Sequence, residues 1–536
     1  MTAFPELFDT LLKSRSFAPE ELKPDYSSLH DPLLLPDMER ARDRVLKAIK
    51  SGEHITIFSD YDADGIPGAV VLSDFFNRIG YKNVSFYIPH RHDEGFGLNS
   101  DFVESCELGL LITVDCGIAD YAEVEHANAR GIDVIITDHH LAERLPEAYA
   151  IVNPKREDSK YPFKELCGAS LAYKLVQAIL AKERFGLKEG VEKWSLDMVG
   201  IATLSDMVPL VGENRILAKF GLDVLRKSPR PGLQALFRKL RMDQHYITED
   251  DVTFMITPRI NVASRMGEPE DAFNLLSTTS EVEAERYAEH LEKINKERKG
   301  LVGSMVKSAK HELENRELMR EVIVIGNPDW KPSLMGLVAS ALVDEYERPA
   351  FVFGRDGDGV LKGSCRSYNG YNLFELMSAC KESFIEFGGH KGAGGFSITL
   401  EQVGELEERL SEVVKSSPPA PLLDLGEGGV ISISISDIGE DLWKTVAQFA
   451  PFGMSNEKPV FKIKDAPIKS VRQFGKTAEH LEIVLGNGVK AIAFFSTPTT
   501  YCLLPTTTTC HLCGTLEKSY FMNRPEIRLR IVDIEA

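Results

Sequence analysis

Five short apolar runs, spaced by helix-like stretches, leave the first third of the chain little freedom in its fold. HITIFS (54–59), VSFYIP (84–89), GLLITVD (109–115), DVIITD (133–138) and AYAIVN (148–153) lie among helical stretches such as 66–80, 119–131 and 166–187. Short apolar strands separated by helices predict a parallel sheet with helices on both faces. Ligands of such sheets collect outside the C-terminal strand ends. Asp60, Asp62 and Asp64 follow the first run, Asp115 ends the third, and Asp138-His139-His140 follows the fourth. One rim of the sheet thus gathers acidic and imidazole side chains.

The remaining chain reads as further modules. Residues 1–40 form an N-terminal segment and 41–280 the first α/β domain. Residues 281–320, rich in Glu, Lys, Arg, Leu and Met, predict a long connecting helix. EVIVIGN, KPSLMGLVASALVDEY and PAFVFGR open a second, smaller α/β unit over 321–415. The stretch KSSPPAP (415–421) is the best linker, and 422–536 alternates apolar with polar residues, as in GVISISIS and EIRLRIVDIEA. That pattern predicts a small all-β module, a barrel.

Composition limits the function classes. No run approaches ~20 uninterrupted apolar residues, so no membrane span is expected. MTAFPELFDTLLKSRSF lacks the basic region, apolar core and cleavage site of a secretory signal. Eight scattered cysteines fit a reducing cytoplasm. Cys510-His-Leu-Cys513 has no second pair to complete a zinc site, and strand thiols are the better reading. The net charge of −19 argues against binding polyanions over the whole surface but leaves room for a local basic groove.

The motif DYDADG (60–65) carries the chemistry. If its aspartates alternate along the exiting chain they project toward one point, and Gly65 permits a tight turn into the next helix. Asp206, in IATLSDMVPL, is a further acidic candidate. A lone strand-end aspartate is most often a cap or a turn residue. Several such elements at strand–helix spacing instead point to cations. Carboxylate with imidazole suits Mn²⁺ or Mg²⁺, and two ions sharing one carboxylate would activate water for attack on phosphorus.

These residues resemble the DHH phosphoesterase superfamily, and within it the RecJ family of single-stranded-DNA-specific exonucleases. The likeness rests on D-x-D-A-D-G (60–65), VDCG (114–117), DHH (138–140) and SDMVPL (205–210). RHDEGFGLN (91–99), LCGASLAYKL (166–175), RINVASRMG (259–267), GSCRS (363–367), FGGHKGAGGFS (387–397) and FAPFGMSNEKPVF (449–461) extend it. It implies a parallel-sheet DHH domain, a smaller α/β DHH-associated domain joined by the long helix, and a C-terminal OB-like domain. It also implies that Asp60, Asp62 and Asp115 bind one ion, while Asp64, Asp115, His139 and Asp206 bind the other. Asp138 would orient a ligand and His140 would face the scissile phosphate. Where the superfamily often carries histidine, two positions before Asp60, this chain has Phe58.

On the substrate side, glycines of GGHKGAGG let backbone N–H groups approach phosphate, with His390 and Lys391 as further donors beside Gly389. The resemblance adds Ser364 and Arg366, with Arg91 and Arg265 as counterparts in the first domain. RKSPRPGLQALFRKLR (226–241), basic and without acidic residues, is a solvated helix face or a wall of a strand-tracking groove. The barrel offers Phe474, Tyr520 and Phe521 for base stacking and Arg524, Arg528 and Arg530 for phosphates. The implied activity is metal-dependent 5′→3′ hydrolysis of single-stranded DNA to mononucleotides, in repair and recombination. The enzyme is expected to be a cytoplasmic monomer, working with a single-strand-binding protein or a RecQ-type helicase. A nanoRNA or cyclic-dinucleotide phosphodiesterase, or an inactive DNA-binding scaffold, is the alternative.

Overall fold

The computed structural model describes residues 3–15, 17–91, 93–356, 360–416, 430–475, 478, 480–494, 508–520 and 525–535. The chain divides into two compact units, one of 1–261, 269–288 and 427–536, the other of 262–268 and 289–426.

In the first unit, β1 (Ile55–Ser59), β2 (Val84–Tyr87), β3 (Leu110–Val114), β4 (Asp133–Thr137) and β5 (Ala150–Val152) form one sheet, in the order β2-β1-β3-β4-β5. Every pairing is parallel. Because side chains alternate across a strand, Phe58, Leu111, Val134 and Ile136 share one face and pack on the helices Ser100–Ser105 and Tyr121–Ala129. The apolar helices Gly65–Arg78 and Gly168–Lys182 pack against each other and are buried almost throughout. Gly68 fits there because a Cβ would come within 2.6 Å of Val114 Cγ1.

The C-terminal module of the same unit is a barrel. β12 (Val460–Phe474), β13 (His480–Leu485), β14 (Lys490–Phe494), β16 (Glu526–Glu535) and β15 (Thr509–Ser519) follow in order around it, and a β12–β15 pairing closes it. β14 and β16 run parallel, the other barrel neighbours antiparallel. β12 is long enough to serve both sides: residues 460–467 pair with β15 and residues 468–474 with β13. Irregularities at Ile463/Ala466 and Ile468/Ser470 bend it, as closure requires. β11 (Val430–Ser432) extends the sheet in parallel beside β12. Cys510 and Cys513 are free thiols on β15. Phe521, Arg524, Cys502 and positions 417–421 of the expected linker lie outside the described residues.

The N-terminal helix and Arg215 are among the contacts that join this barrel to the rest of the first unit. The N-terminal helix Pro5–Ser14 puts Leu7 and Leu11 into the barrel core, and Phe8 packs on Phe449 at 5.4 Å. Arg215, 1% exposed, donates to the carbonyls of Phe449 (2.8 Å), Ala450 (3.1 Å) and Glu21 (3.0 Å). Burial pulls its pKa down to about 10, which leaves the guanidinium charged at neutral pH.

In the second unit, β6 (Ile323–Gly326), β7 (Ala350–Asp356), β8 (Val360–Arg366), β10 (Ala393–Ile398) and β9 (Glu386–Gly389) follow in that order. β6 pairs with β7 in parallel and the remaining pairs are antiparallel. The helix Met335–Tyr346 packs against β7 and β8, while Leu373–Ala379 and Leu400–Ser416 contribute to a separate apolar cluster. The helix Glu281–Glu314, 34 residues long, runs from the first unit into the second. No described helix is long and apolar enough to cross a membrane.

Replacing Arg215 with Ala removes its hydrogen bonds to the Phe449, Ala450 and Glu21 carbonyls and leaves Phe449 O only the Asn456 amide as side-chain donor. We expect a loss of about 2–4 kcal/mol in urea unfolding of the whole chain, larger than for truncating an exposed arginine such as Arg238.

Candidate metal centre

The rim at the C-terminal ends of β1, β3 and β4 carries the acidic groups. The backbone of Asp60 continues the sheet by donating to Val114 O (3.1 Å), and Asp115 N donates to Thr137 O (2.9 Å). The chain then turns at once into the helix Gly65–Arg78. Gly65 serves that turn by close approach, not by a left-handed backbone: a Cβ would lie 2.4 Å from the Asp60 carbonyl oxygen. Asp115 itself is left-handed, with φ 63°, a conformation uncommon outside glycine.

Three sets of ligand atoms lie within 4.8 Å of one another: Asp60, Asp62 and Asp115; Asp64, His139 and Asp206; and Asp115, His139 and His140. His139 Nε2 is 3.2 Å from Asp115 Oδ1, 3.7 Å from Asp206 Oδ2 and 3.8 Å from Asp64 Oδ2. Asp115 and His139 therefore belong to more than one set. Phe58 supplies no ligand: it is fully buried and packs on Tyr87 (5.6 Å) and Phe102 (4.7 Å).

Backbone donors orient these carboxylates. Asp64 accepts from Gly168 N (2.6 Å) and Ala169 N (2.8 Å), the first residues of the helix Gly168–Lys182. Asp62 Oδ1 accepts from Asp64 N at 2.8 Å. Asp138 accepts from Ile118 N (3.1 Å) and His140 N (3.0 Å), and its Oδ1 lies 2.7 Å from His140 Nδ1. Asn153 Nδ2 donates to His140 O, and Asn261 Oδ1 accepts from Ala63 N.

Burial and mutual repulsion dominate the electrostatics. Burial, then the neighbouring carboxylates, push Asp64 up to about 6 and Asp206 up to about 8, and raise Asp60 and Asp115 well above the usual range. Asp138 is the exception, because bonding to His140 outweighs its burial and lowers its pKa. Burial opposes charge on His140, yet Asp138 outweighs it and lifts the imidazole to about 9. Asp60 Oδ1 and Asp115 Oδ1 are buried without a hydrogen-bond partner among the described residues. Acceptors of this kind, clustered with a histidine, fit a hard divalent cation.

The remaining sequence-derived candidates are distributed as follows. Arg91 belongs to the first unit, its guanidinium 5.1 Å from the Tyr61 ring. Arg265, expected with the first domain, packs in the second unit, where it donates to Ser333 O (2.7 Å). The register Arg366↔Ala393, Ser364↔Gly395 and Gly389↔Gly394 brings Ser364, Arg366 and the 389–391 turn together. His390 and Lys391 are exposed there, and Gly389 is left-handed (φ 138°) against the Ala393 carbonyl. Arg366 lies against Gly336 at the start of the helix Met335–Tyr346, close in sequence to Ser333.

In the basic stretch 226–241, Lys227, Arg238, Lys239 and Arg241 are exposed. Arg230 pairs with Asp197 (2.7 Å) and with Asp74, Arg226 with Asp223 and the Ile247 carbonyl, and Arg238 with Glu285. On the barrel, Arg528 pairs with Glu517, and Tyr520 stacks on Tyr246 at 3.9 Å. Sequence reasoning gave no role to Gly168, Ile118, Asn153 or Asn261, although LCGASLAYKL and RINVASRMG contain two of them. A Cβ on Gly168 would come within 2.5 Å of Asp115 Cβ.

Comparison with known proteins agrees with this arrangement. Residues 54–203 match the DHH family N-terminal domain, 319–416 the DHHA1 domain and 431–533 the RecJ OB domain. Fold and rim together define a DHH-family protein with an OB barrel. The chain is 37% identical over 491 residues to the single-stranded-DNA-specific exonuclease RecJ of Bacillus subtilis, covering 90% of this chain and 60% of the relative. To the RecJ of Dickeya dadantii it is 31% identical over 503 residues, covering 89% of this chain and 86% of the relative. The chain belongs to the RecJ family. The crystal structure of Thermus thermophilus RecJ with Mn²⁺ superposes with a TM-score of 0.80 at 27% identity, over 99% of this chain and 76% of that one. Its Mg²⁺ complex gives 0.75 at 26% identity, over 99% and 74%.

The raised carboxylate pKa values set a pH dependence. A carboxylate that holds its proton more tightly when folded favours folding at low pH and loses that advantage as pH rises from about 4 through about 8. Cation binding requires the ionised form, so its stabilisation grows over the same window. Scanning fluorimetry should give EDTA-treated protein a larger Mn²⁺-induced rise in Tm at pH 8 than at pH 6. Asp206→Asn should flatten that difference.

Proposed function

We propose that this chain is a metal-dependent exonuclease that hydrolyses single-stranded DNA from the 5′ end and releases mononucleotides. The observation that carries the reading is the run of three overlapping cation-ready sets, linked through Asp115 and His139, on a chain whose relatives are named for this activity. Asp60, Asp62 and Asp115 would hold one Mn²⁺ or Mg²⁺, and Asp64, Asp115, His139 and Asp206 a second. Bound there, such ions supply Lewis acidity and lower the pKa of water. Asp138 fixes the ring of His140 and favours its charged form, so the nitrogen remote from Asp138 can donate to a phosphate oxygen. Ser364, Arg366 and the Gly389–Lys391 turn form a compact donor group suited to a terminal phosphate, with Arg265 near the same helix start. Arg91 is the corresponding donor on the rim side.

The OB barrel favours a polymeric strand over a nanoRNA or cyclic dinucleotide. A catalytically inactive scaffold would have no need to retain Asp60, Asp62, Asp64, Asp115, His139 and Asp206 together. With this reading go a monomer in the cytoplasm, where free thiols persist, a role in repair and recombination, and a single-strand-binding protein or RecQ-type helicase as partner.

End-labelled oligonucleotides with Mn²⁺ test it. We expect a 5′-labelled single strand to release labelled mononucleotide at once, duplex DNA to resist, and Asp115→Asn to lower kcat/KM at least about 1,000-fold. Full activity in that variant, or a preference for dinucleotides over long strands, would sink the proposal.

A further inference from the structure

The loop between β2 and the helix Ser100–Ser105 contains an exposed aromatic that the proposed chemistry does not use. Phe96 is 53% exposed, yet its ring lies 5.7 Å from that of His140 in an edge-to-face arrangement. A single exposed apolar side chain is ordinary by itself. The backbone that carries this one is not.

Gly95 (φ 85°) and Gly97 (φ 82°), on either side of Phe96, are both left-handed, so the ring stands at the tip of a tight turn. Carboxylates clamp the turn on both sides. Before the tip, Glu94 accepts from His90 N (2.6 Å), Tyr87 Oη (2.6 Å) and Asn99 Nδ2 (3.1 Å). After it, Asp120 accepts from Leu98 N (2.7 Å), and a Cβ on Gly97 would come within 2.6 Å of the same carboxylate. Tyr87 packs on Phe58 and Phe102, so the first clamp is continuous with the core. A loop held this firmly keeps a large apolar ring in solvent at the rim of the acidic site.

We propose that Phe96 is a stacking platform for the base of the nucleotide whose phosphodiester is cut. This deepens the exonuclease reading and rests on it. An aromatic face accepts any base, which suits an enzyme that must process strands of every sequence. Its rigidity keeps the entropy cost of stacking small. The neighbouring His140 places the phosphate of the stacked nucleotide within reach of the rim.

The test combines removal of the ring with removal of the base. Wild-type protein, Phe96→Ala and Phe96→Trp are assayed with Mn²⁺ on a single strand whose first two nucleotides are either normal or abasic. On normal DNA, Phe96→Ala should lower kcat/KM about 10- to 100-fold, with Phe96→Trp close to wild type. On abasic-ended DNA the wild type should already be slowed, and Phe96→Ala should add less than about twofold, the non-additivity expected of groups in contact. Equal losses on both substrates, or a shifted pH profile of kcat with no dependence on the base, would mean that Phe96 acts only on His140 and would overturn the proposal. Phe96→Ala indistinguishable from wild type on normal DNA would do the same. A wild-type protein that cuts neither strand overturns the exonuclease reading and this one with it.

Discussion

Carboxylates buried side by side repel, and the fold of the first unit is organised around containing that repulsion. Asp60, Asp64 and Asp115 are nearly inaccessible; beyond burial, Asp62 raises the cost of ionising Asp60 and Asp64, and Asp64, Asp62 and Asp60 raise that of Asp115. Parallel strands deliver them to one rim. Helix starts and turns then offer backbone N–H groups, as Gly168 and Ala169 do for Asp64. These donors fix orientation without neutralising charge, and they leave oxygens such as Asp60 Oδ1 for a cation. Close packing accompanies this: a side chain at Gly65 would collide with the Asp60 backbone, and one at Gly168 with the Asp115 carboxylate.

Charge is handled differently away from the rim. Lys174 and Glu213, both essentially inaccessible, form a 2.7 Å pair. Tyr161 and His30 N donate to Glu213, and Lys174 donates to the His30 carbonyl. A buried pair satisfied this fully adds little net stability but makes any other packing expensive. Glu213 stands two residues before Arg215, whose guanidinium holds carbonyls at the start of the barrel module. One helix, Gly212–Leu225, thus connects the N-terminal segment, the parallel-sheet domain and the barrel.

Much of this was legible in the sequence, for a physical reason. Strands buried on both faces must be apolar, so β1, β3 and β4 announce themselves, and the polar residues that end them stand out. The parallel sheet and the all-β barrel followed from such patterns, the DHH and OB assignments from the resemblance of the motifs. Less local features were not legible. The charge run 226–241 reads as solvated because its partners, Asp74, Asp197 and Glu285, are distant in sequence. Arg265 has no signal that would assign it to the second unit. The contribution of Pro5–Ser14 to the barrel core depends on Phe449 and other residues more than 400 positions away. Gly65 was recognised as necessary, but for torsional freedom, whereas the structure requires it for space.

Asp115 shows how these constraints meet at one residue. It ends a central strand, so its backbone is fixed by the sheet through Thr137. Its left-handed conformation turns the side chain away from the direction that strand alternation would give it. Gly168 closes off the space beside it, and His139 lies 3.2 Å from its Oδ1. Asn tolerates the left-handed region about as well as Asp, so the backbone alone does not demand a carboxylate here. What Asn cannot supply is negative charge on an oxygen that two ligand sets share. The identity of this residue is therefore set by charge and its conformation by geometry, and the strain is tolerated because the neighbouring strands leave the backbone no alternative.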